Sequence, residues 1–146
     1  FYELLGAFSK GKILEDLIKY RKRFNQPIVF NGLQDGVISP TDIDFVFEVD
    51  NKFLLIGECK VEGKDLTIGQ KLVLQRLVDN WTAAGKLAIA YYVTHNFHPD
   101  DDVVLSECNV HSVYTSGQWQ RKNIKFRDSL MKLAKHWDID KLKNLK

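Results

Sequence analysis

The sequence lacks the residues that define several large classes of protein. Among its 146 residues there are only two cysteines, Cys59 and Cys108, which are too few for a disulfide framework. A reduced, cytoplasmic setting is therefore expected rather than secretion. No repeat, low-complexity tract or interdomain linker is visible. These absences favour one folded domain over residues 1–146, a length that suits a single hydrophobic core.

Two further absences narrow the function. No apolar run approaches the roughly 18 residues that a membrane span requires, so no membrane partner is expected. No glycine-rich phosphate loop is present, so this chain is not expected to use ATP. What remains is 45% hydrophobic and 27% charged residues, a composition typical of a soluble globular protein.

Charge is distributed unevenly along the chain. The net charge is +3 over residues 1–23, −7 over residues 24–120 and +6 over residues 121–146. Basic ends around an acidic middle suit a surface that binds a polyanion next to a cation site, although solvated helix faces explain the charges equally well. The candidate phosphate-binding residues are Lys19, Arg21, Lys22, Arg23, Arg121, Lys122, Lys125 and Arg127.

The periodicity of apolar residues predicts an α/β protein. Helices are predicted over residues 9–24, 67–85 and 123–137, and strands over residues 26–32, 42–49, 53–61, 86–95 and 110–119. Thr67 is the expected cap of the second helix. A hairpin followed by a helical crossover to the buried strand 86–95 predicts a mixed sheet with helices on both faces.

The hairpin over residues 42–61 carries charges where a buried strand normally has none. Side chains alternate between the faces of a strand, so Glu58 and Lys60 share a face and Cys59 points away. A two-residue turn at Asp50-Asn51 would place Asp44 and Glu58 on opposite faces. A three-residue loop or a bulge would place Asp44 opposite Glu58, and Asp42 opposite Lys60. We predict the three-residue loop or an equivalent bulge.

In that register the carboxylates of Asp44 and Glu58 come within cross-strand distance and repel each other. A hard divalent cation, Mg²⁺ or Mn²⁺, removes the conflict, and the backbone carbonyl of Cys59 is a further candidate ligand. Lys60 would lie beside the metal, where it orients a water or offsets charge on a phosphate. Asp42 and Glu48 are expected to have supporting or surface roles.

Asp44, followed after a short hairpin by Glu58-Cys59-Lys60, resembles the D…(D/E)xK signature of the PD-(D/E)XK nuclease superfamily. That superfamily includes restriction endonucleases, archaeal-type Holliday junction resolvases and many phage nucleases. Its αβββαβ core is similar to the element order predicted over residues 9–95. The resemblance implies a restriction-endonuclease-like fold and metal-dependent cleavage of DNA, and many such proteins act as homodimers. It places the first motif on Asp44, which follows Ile43, rather than on Asp42.

Two further positions match the family more loosely. Gln70 opens the helix after the Glu58–Lys60 strand, where some members carry a glutamine that contacts a metal-bound water or a phosphate. Glu15 lies four residues after Gly11, as an acid does on the first helix of resolvase-like members. Two alternatives stay open: a non-catalytic nucleic-acid-binding module on the same fold, and an unrelated α/β domain whose charges form a salt-bridge ladder.

Overall fold

The computed structural model describes residues 26–37 and 40–146, and the chain divides into two compact units, residues 1–40 and 41–146. In the first unit the predicted helix over residues 9–24 lies outside the described residues. The predicted strand over residues 26–32 is wrong, because these residues form irregular chain and a turn. Ile28 and Val29 are 84% and 68% exposed, so no sheet neighbour covers this short apolar run.

The second unit is built on a five-stranded mixed sheet. Its strands are β1 (Phe45–Val49), β2 (Phe53–Val61), β3 (Leu87–His95), β4 (Asn109–Thr115) and β5 (Gln118–Lys125). They lie in the sheet in chain order; β2 and β3 are parallel, and every other neighbouring pair is antiparallel. The helices are α1 (Ile68–Ala83), α2 (Phe126–His136) and α3 (Asp140–Lys143). The predicted mixed α/β class is therefore confirmed, and no described helix is long and apolar enough to cross a bilayer.

The loop between β1 and β2 has three residues, as predicted. Val49 pairs with Phe53, and the ladder continues to Phe45 opposite Gly57. Asp50 and Asn51 have positive φ, and the N–H of Lys52 donates to the carbonyl of Val49 at 3.0 Å. Because the register is maintained, one further step places Asp44 across from Glu58 on the same face of the sheet.

The crossover from β2 to β3 runs through α1. Thr67 caps this helix: its hydroxyl accepts from the N–H of Gln70 at 3.1 Å, and the side chain of Gln70 accepts from the N–H of Thr67 at 3.1 Å. This reciprocal capping box satisfies two backbone donors that otherwise lack a partner. A helical crossover is what allows two consecutive strands to be parallel, so the carboxyl ends of β2 and β3 lie at the same edge of the sheet.

Helices cover both faces of the sheet. We call them the α2 face, which packs against α2 and α3, and the α1 face, which packs against α1. The α2 face has an apolar core that includes Phe53, Leu55, Tyr91, Val93, Val110, Phe126 and Leu130. The α1 face has a smaller core made of Leu54, Ile56, Leu66, Leu74, Val78, Ala88, Ala90, Tyr92 and Tyr114.

The last third of the chain corrects two boundaries. The predicted strand over residues 110–119 is in fact two strands, β4 and β5, joined at Ser116-Gly117, where both φ angles are positive. The predicted helix over residues 123–137 begins only at Phe126, whose N–H donates to the carbonyl of Cys108 at 2.8 Å. The polar residues before Phe126 complete β5, which is the edge strand, and edge strands tolerate charge.

Candidate metal centre

Three carboxylates meet on the α1 face, at the end of the sheet where β2 finishes. Among the described residues, Asp42, Asp44 and Glu58 each offer an oxygen atom, and these oxygens lie within 4.8 Å of one another. Asp42 and Asp44 are exposed, whereas Glu58 is only 2% exposed. The cluster is thus open on one side to solvent and closed on the other by the sheet.

Backbone hydrogen bonds hold Asp44 in place. Its N–H donates to the carbonyl of Gly57 at 3.1 Å, which extends the β1–β2 ladder by one step. Its carboxylate Oδ2 accepts from the N–H of Cys59 at 2.7 Å. Asp44 is therefore bonded to the backbone of β2 on either side of Glu58.

Glu58 is the unusual member of the cluster. The pKa of Glu58 is raised to about 8, first by burial, then by the hydrogen bond to the Asp44 side chain and by the charges of Asp44 and Asp42, whereas the charge of Lys60 lowers it. Glu58 therefore carries a proton at neutral pH in the absence of a cation. Two carboxyl groups that share a proton in this way can ionise together once a cation compensates their charge.

The donor set suits a hard divalent cation. Three carboxylates, two on the chain just before β1 and one on β2, supply the oxygen atoms that Mg²⁺ and Mn²⁺ prefer, and the exposed side leaves space for water and substrate oxygens. Asp42 is missing from the predicted ligands, yet it lies with Asp44 and Glu58. The signal was present in the sequence, since residues two apart on an extended chain share a face.

The two residues after Glu58 lie on opposite faces of the sheet, as the alternation along the strand predicts. Lys60 lies two residues further along β2, half-buried, opposite Thr94 of β3. The side chain of Cys59 instead packs into the core of the α2 face together with Cys108. Burial and the neighbouring Cys108 raise the pKa of the Cys59 thiol to about 12, so the thiol stays protonated and is a poor metal ligand.

The remaining predicted site residues are scattered. Gln70 lies at the start of α1, where its side chain takes part in the capping box. Glu15, Lys19, Arg21, Lys22 and Arg23 lie outside the described residues. Of the second basic group, Arg121, Lys122 and Lys125 lie on β5 and Arg127 lies on α2.

Two of these basic side chains already have partners. Lys125 forms an ion pair with Glu107 at 2.8 Å. Arg127 donates to the carbonyl of Leu145 at 2.9 Å. Arg121 and Lys122 are therefore the members of this group to consider for a phosphate.

Comparisons with known proteins returned no match to a family model, a curated protein or a solved structure. The cluster combines a buried glutamate with two exposed aspartates, and Lys60 follows on the same face of β2.

Proposed function

We propose that this chain is a nuclease that hydrolyses phosphodiester bonds in DNA with Mg²⁺ or Mn²⁺ as its cofactor. The observation that supports it is the carboxylate cluster, in which a buried Glu58 lies with Asp42 and Asp44 inside 4.8 Å. A buried carboxyl group surrounded by two more acids is unfavourable unless a cation or a proton compensates it. A site that is open to solvent and lined by three acids has the form that a catalytic metal requires.

In this proposal Asp42, Asp44 and Glu58 hold the cation, and the Cys59 carbonyl remains a candidate fourth ligand. A bound divalent ion supplies electrostatic stabilisation of a phosphate and a lowered pKa for its bound water. Lys60 lies on the same face and offsets the negative charge that develops on the phosphate. Arg121 and Lys122 are the basic residues expected to contact the DNA backbone.

The raised pKa of Glu58 makes metal binding depend on pH. Glu58 has to release its proton before it can bind a cation, so apparent affinity for Mg²⁺ should rise as the pH approaches and passes about 8. Activity should rise over the same range. A flat dependence of metal affinity on pH between 6 and 8.5 would show that Glu58 is not a ligand.

At the level of fold, we propose a PD-(D/E)XK-type arrangement. The order β1, β2, α1, β3, with β2 and β3 parallel, agrees with the later part of the αβββαβ core expected from the resemblance. The strand expected before β1, residues 26–32, is irregular. The proposal therefore depends on the hairpin, the helix and β3.

The test is nicking of supercoiled plasmid in Mg²⁺, in Mn²⁺ and in EDTA. We expect cleavage by the unmodified chain in either metal and none in EDTA. Glu58→Gln and Lys60→Ala should each lose at least about 100-fold in rate, which corresponds to about 2.7 kcal/mol. Glu48→Gln is the matched control. It makes the same carboxylate-to-amide change at an exposed position of β1, outside the cluster.

The alternatives predict different results. DNA binding without cleavage in any metal would favour a non-catalytic binding module on this fold. Equal cleavage by the unmodified chain and Lys60→Ala would count against the assigned role of Lys60. If the chain neither binds Mn²⁺ in a calorimetric titration at pH 8.5 nor cleaves DNA, the result would favour an α/β domain in which Asp42, Asp44, Glu58 and Lys60 have only a structural role.

A further inference from the structure

Two adjoining cavities lie one strand away from the carboxylate cluster. They have volumes of about 700 Å³ and 540 Å³ and open at the carboxyl ends of β2 and β3. They share four lining residues, Glu62, Thr94, Asn109 and Asn123, and we call the two together the groove. The larger cavity is also lined by Tyr92, which pairs with Glu58 of the cluster. The carboxyl ends of parallel strands are where open α/β sheets bind their ligands.

An irregularity in β4 forms one wall of this groove. Val93 pairs with Val110 while Tyr92 pairs with Ser112, so His111 is an extra residue with no partner on β3. Val110 and Val113 both pack on the α2 face although they are three residues apart. The bulge therefore turns His111 and Ser112 towards the α1 face together, and His111 Nδ1 lies 3.0 Å from Ser112 Oγ. Bulges of this kind often redirect a side chain at a functional site.

The wall made by β4 and β5 is basic. His111, Arg121 and Lys122 line the larger cavity. Ser112, the neighbour of His111, pairs with Arg121 of β5, and the pKa of His111 is lowered first by burial and then by the charge of Arg121. The ring of His111 lies 4.4 Å from that of Tyr92, which supports it from the centre of the sheet.

The opposite wall of the groove is acidic. Glu62 and Asp65, from the end of β2 and the turn that follows, line the larger cavity across from Arg121. The carboxylate cluster lies on the same side, on β2 and on the chain just before β1. Charge therefore changes from negative to positive across the sheet, from the strands that would hold a cation to the strands that would hold a phosphate.

The sheet itself sets the distance between the two. Glu58 pairs with Tyr92, Tyr92 with Ser112, and Ser112 with Arg121. Three strand spacings separate the ends of this row, which is about 14 Å. A strand of duplex DNA winds around the helix axis while it advances about 3.4 Å along it for each nucleotide, so neighbouring phosphates are roughly 7 Å apart and the row spans roughly two nucleotides.

We propose that the groove binds a DNA strand and that Arg121, with His111, forms a phosphate subsite roughly two nucleotides from the phosphate at the carboxylate cluster. The subsite binds a phosphate in the absence of a metal. Only its spacing from the cleaved bond rests on the proposed function. The guanidinium of Arg121 suits two phosphate oxygens at once, which a lysine at that position would not match.

The first experiment measures affinity without cleavage. Fluorescence anisotropy with a labelled 20-nucleotide DNA in EDTA should show about tenfold weaker binding for Arg121→Ala than for the unmodified chain, and a smaller dependence of affinity on salt. Arg121→Lys should recover part of the loss. The matched control is Lys135→Ala, which removes one exposed charge from α2 on the other face. Thermal melts of each variant show that the fold is kept.

The second experiment measures spacing. DNA that carries one uncharged methylphosphonate is cut in Mg²⁺, and the bond roughly two nucleotides to one side should become resistant. Arg121→Ala should cut modified and unmodified DNA alike. If the unmodified chain cleaves but Arg121→Ala has the same affinity and the same interference pattern, the subsite is refuted and the nuclease proposal stands. If nothing cleaves in any metal, the affinity of Arg121→Ala alone decides the subsite, and the nuclease proposal falls.

Discussion

The two faces of strand β2 show how one backbone produces two different environments. On the α2 face its side chains stay apolar to the end, with Phe53, Leu55 and then Cys59. On the α1 face Leu54 and Ile56 are apolar, but the next two residues are Glu58 and Lys60. Helix α1 packs over the first half of that face, through Leu74 and Val78, and the charges begin after it. The helix cover therefore decides where charge is possible.

The difference is also one of energy. Burial on the α2 face stabilises the fold, because each large side chain there removes apolar area from water. On the α1 face Glu58 is as deeply buried as its apolar neighbours but keeps its proton, and ionising it opposes folding. One face of β2 thus contributes stability, while the far half of the other gives up stability for a site that accepts a cation.

The largest expected effect comes from removing the aromatic centre of the α2 face. Phe126 packs its ring against Phe45 at 5.3 Å, Tyr91 at 5.6 Å and Phe47 at 6.0 Å between ring centroids. Phe126→Ala should lower the free energy of unfolding by about 3–5 kcal/mol, measured by urea denaturation at pH 6. Leu72→Ala, at a 38% exposed position on α1, should cost less than about 1 kcal/mol. Equal losses would mean that the α2 face is not the main core.

The next effect is on the α1 face and depends on pH. Between about pH 4.5 and pH 8 the folded chain keeps the Glu58 proton while the unfolded chain has released it. Stability should therefore fall as pH rises through this window, by about 1.4 kcal/mol for each pH unit from this group. Glu58→Gln removes that slope, so between pH 5.5 and 7.5 the variant should gain about 2–3 kcal/mol relative to the unmodified chain.

Urea denaturation in EDTA at pH 5.5, 6.5 and 7.5 measures this gain, since the other titrating groups cancel in the difference. Glu48→Gln, the exposed control, should show no such trend. A constant difference between Glu58→Gln and the unmodified chain across the three pH values would contradict the buried, protonated state of Glu58.

A third variant tests whether packing on the α2 face of β2 helps to position the carboxylate cluster on its α1 face. Gly57 lies under the ring of Phe45, and a Cβ there would collide with that ring and lie 2.6 Å from the carbonyl oxygen of Tyr91. Gly57→Ala should cost about 1–3 kcal/mol of stability and, because the Gly57 carbonyl accepts from Asp44, should also weaken binding of Mn²⁺. Gly69→Ala in α1 has no close neighbour and should be neutral or slightly stabilising. Normal Mn²⁺ affinity in Gly57→Ala would show that Asp44 is positioned without this contact.

Alternation along the hairpin was enough to predict the core of the site from sequence. A single register places Phe45 and Phe47 on one face and Leu54, Ile56 and Glu58 on the other. The loop has the three residues that this register needs. The same reasoning would have included Asp42. The pattern works here because both faces are partly buried, which makes a slip by one residue unfavourable.

Other features depend on contacts that no local pattern carries. The apolar run Ile28-Val29-Phe30 predicts a strand, but a strand needs a neighbour, and the described residues there have none. The polar residues of β5 predict no strand, yet they pair with β4 along an edge. The position of His111 follows from a bulge that appears only when β3 and β4 are aligned. Groove residues were missed for this reason.

The smallest expected effect separates a structural role from a catalytic one at the start of α1. Thr67 and Gln70 form one capping box, so Thr67→Ala and Gln70→Ala should each cost about 0.5–1 kcal/mol in urea denaturation. If the cap is all that Gln70 provides, both variants should nick plasmid equally well, because each removes one of the two capping hydrogen bonds. A loss of rate in Gln70→Ala that Thr67→Ala does not share would instead place Gln70 with Glu58 and Lys60. The comparison decides whether α1 only covers the sheet or also contributes a side chain to the site beyond it.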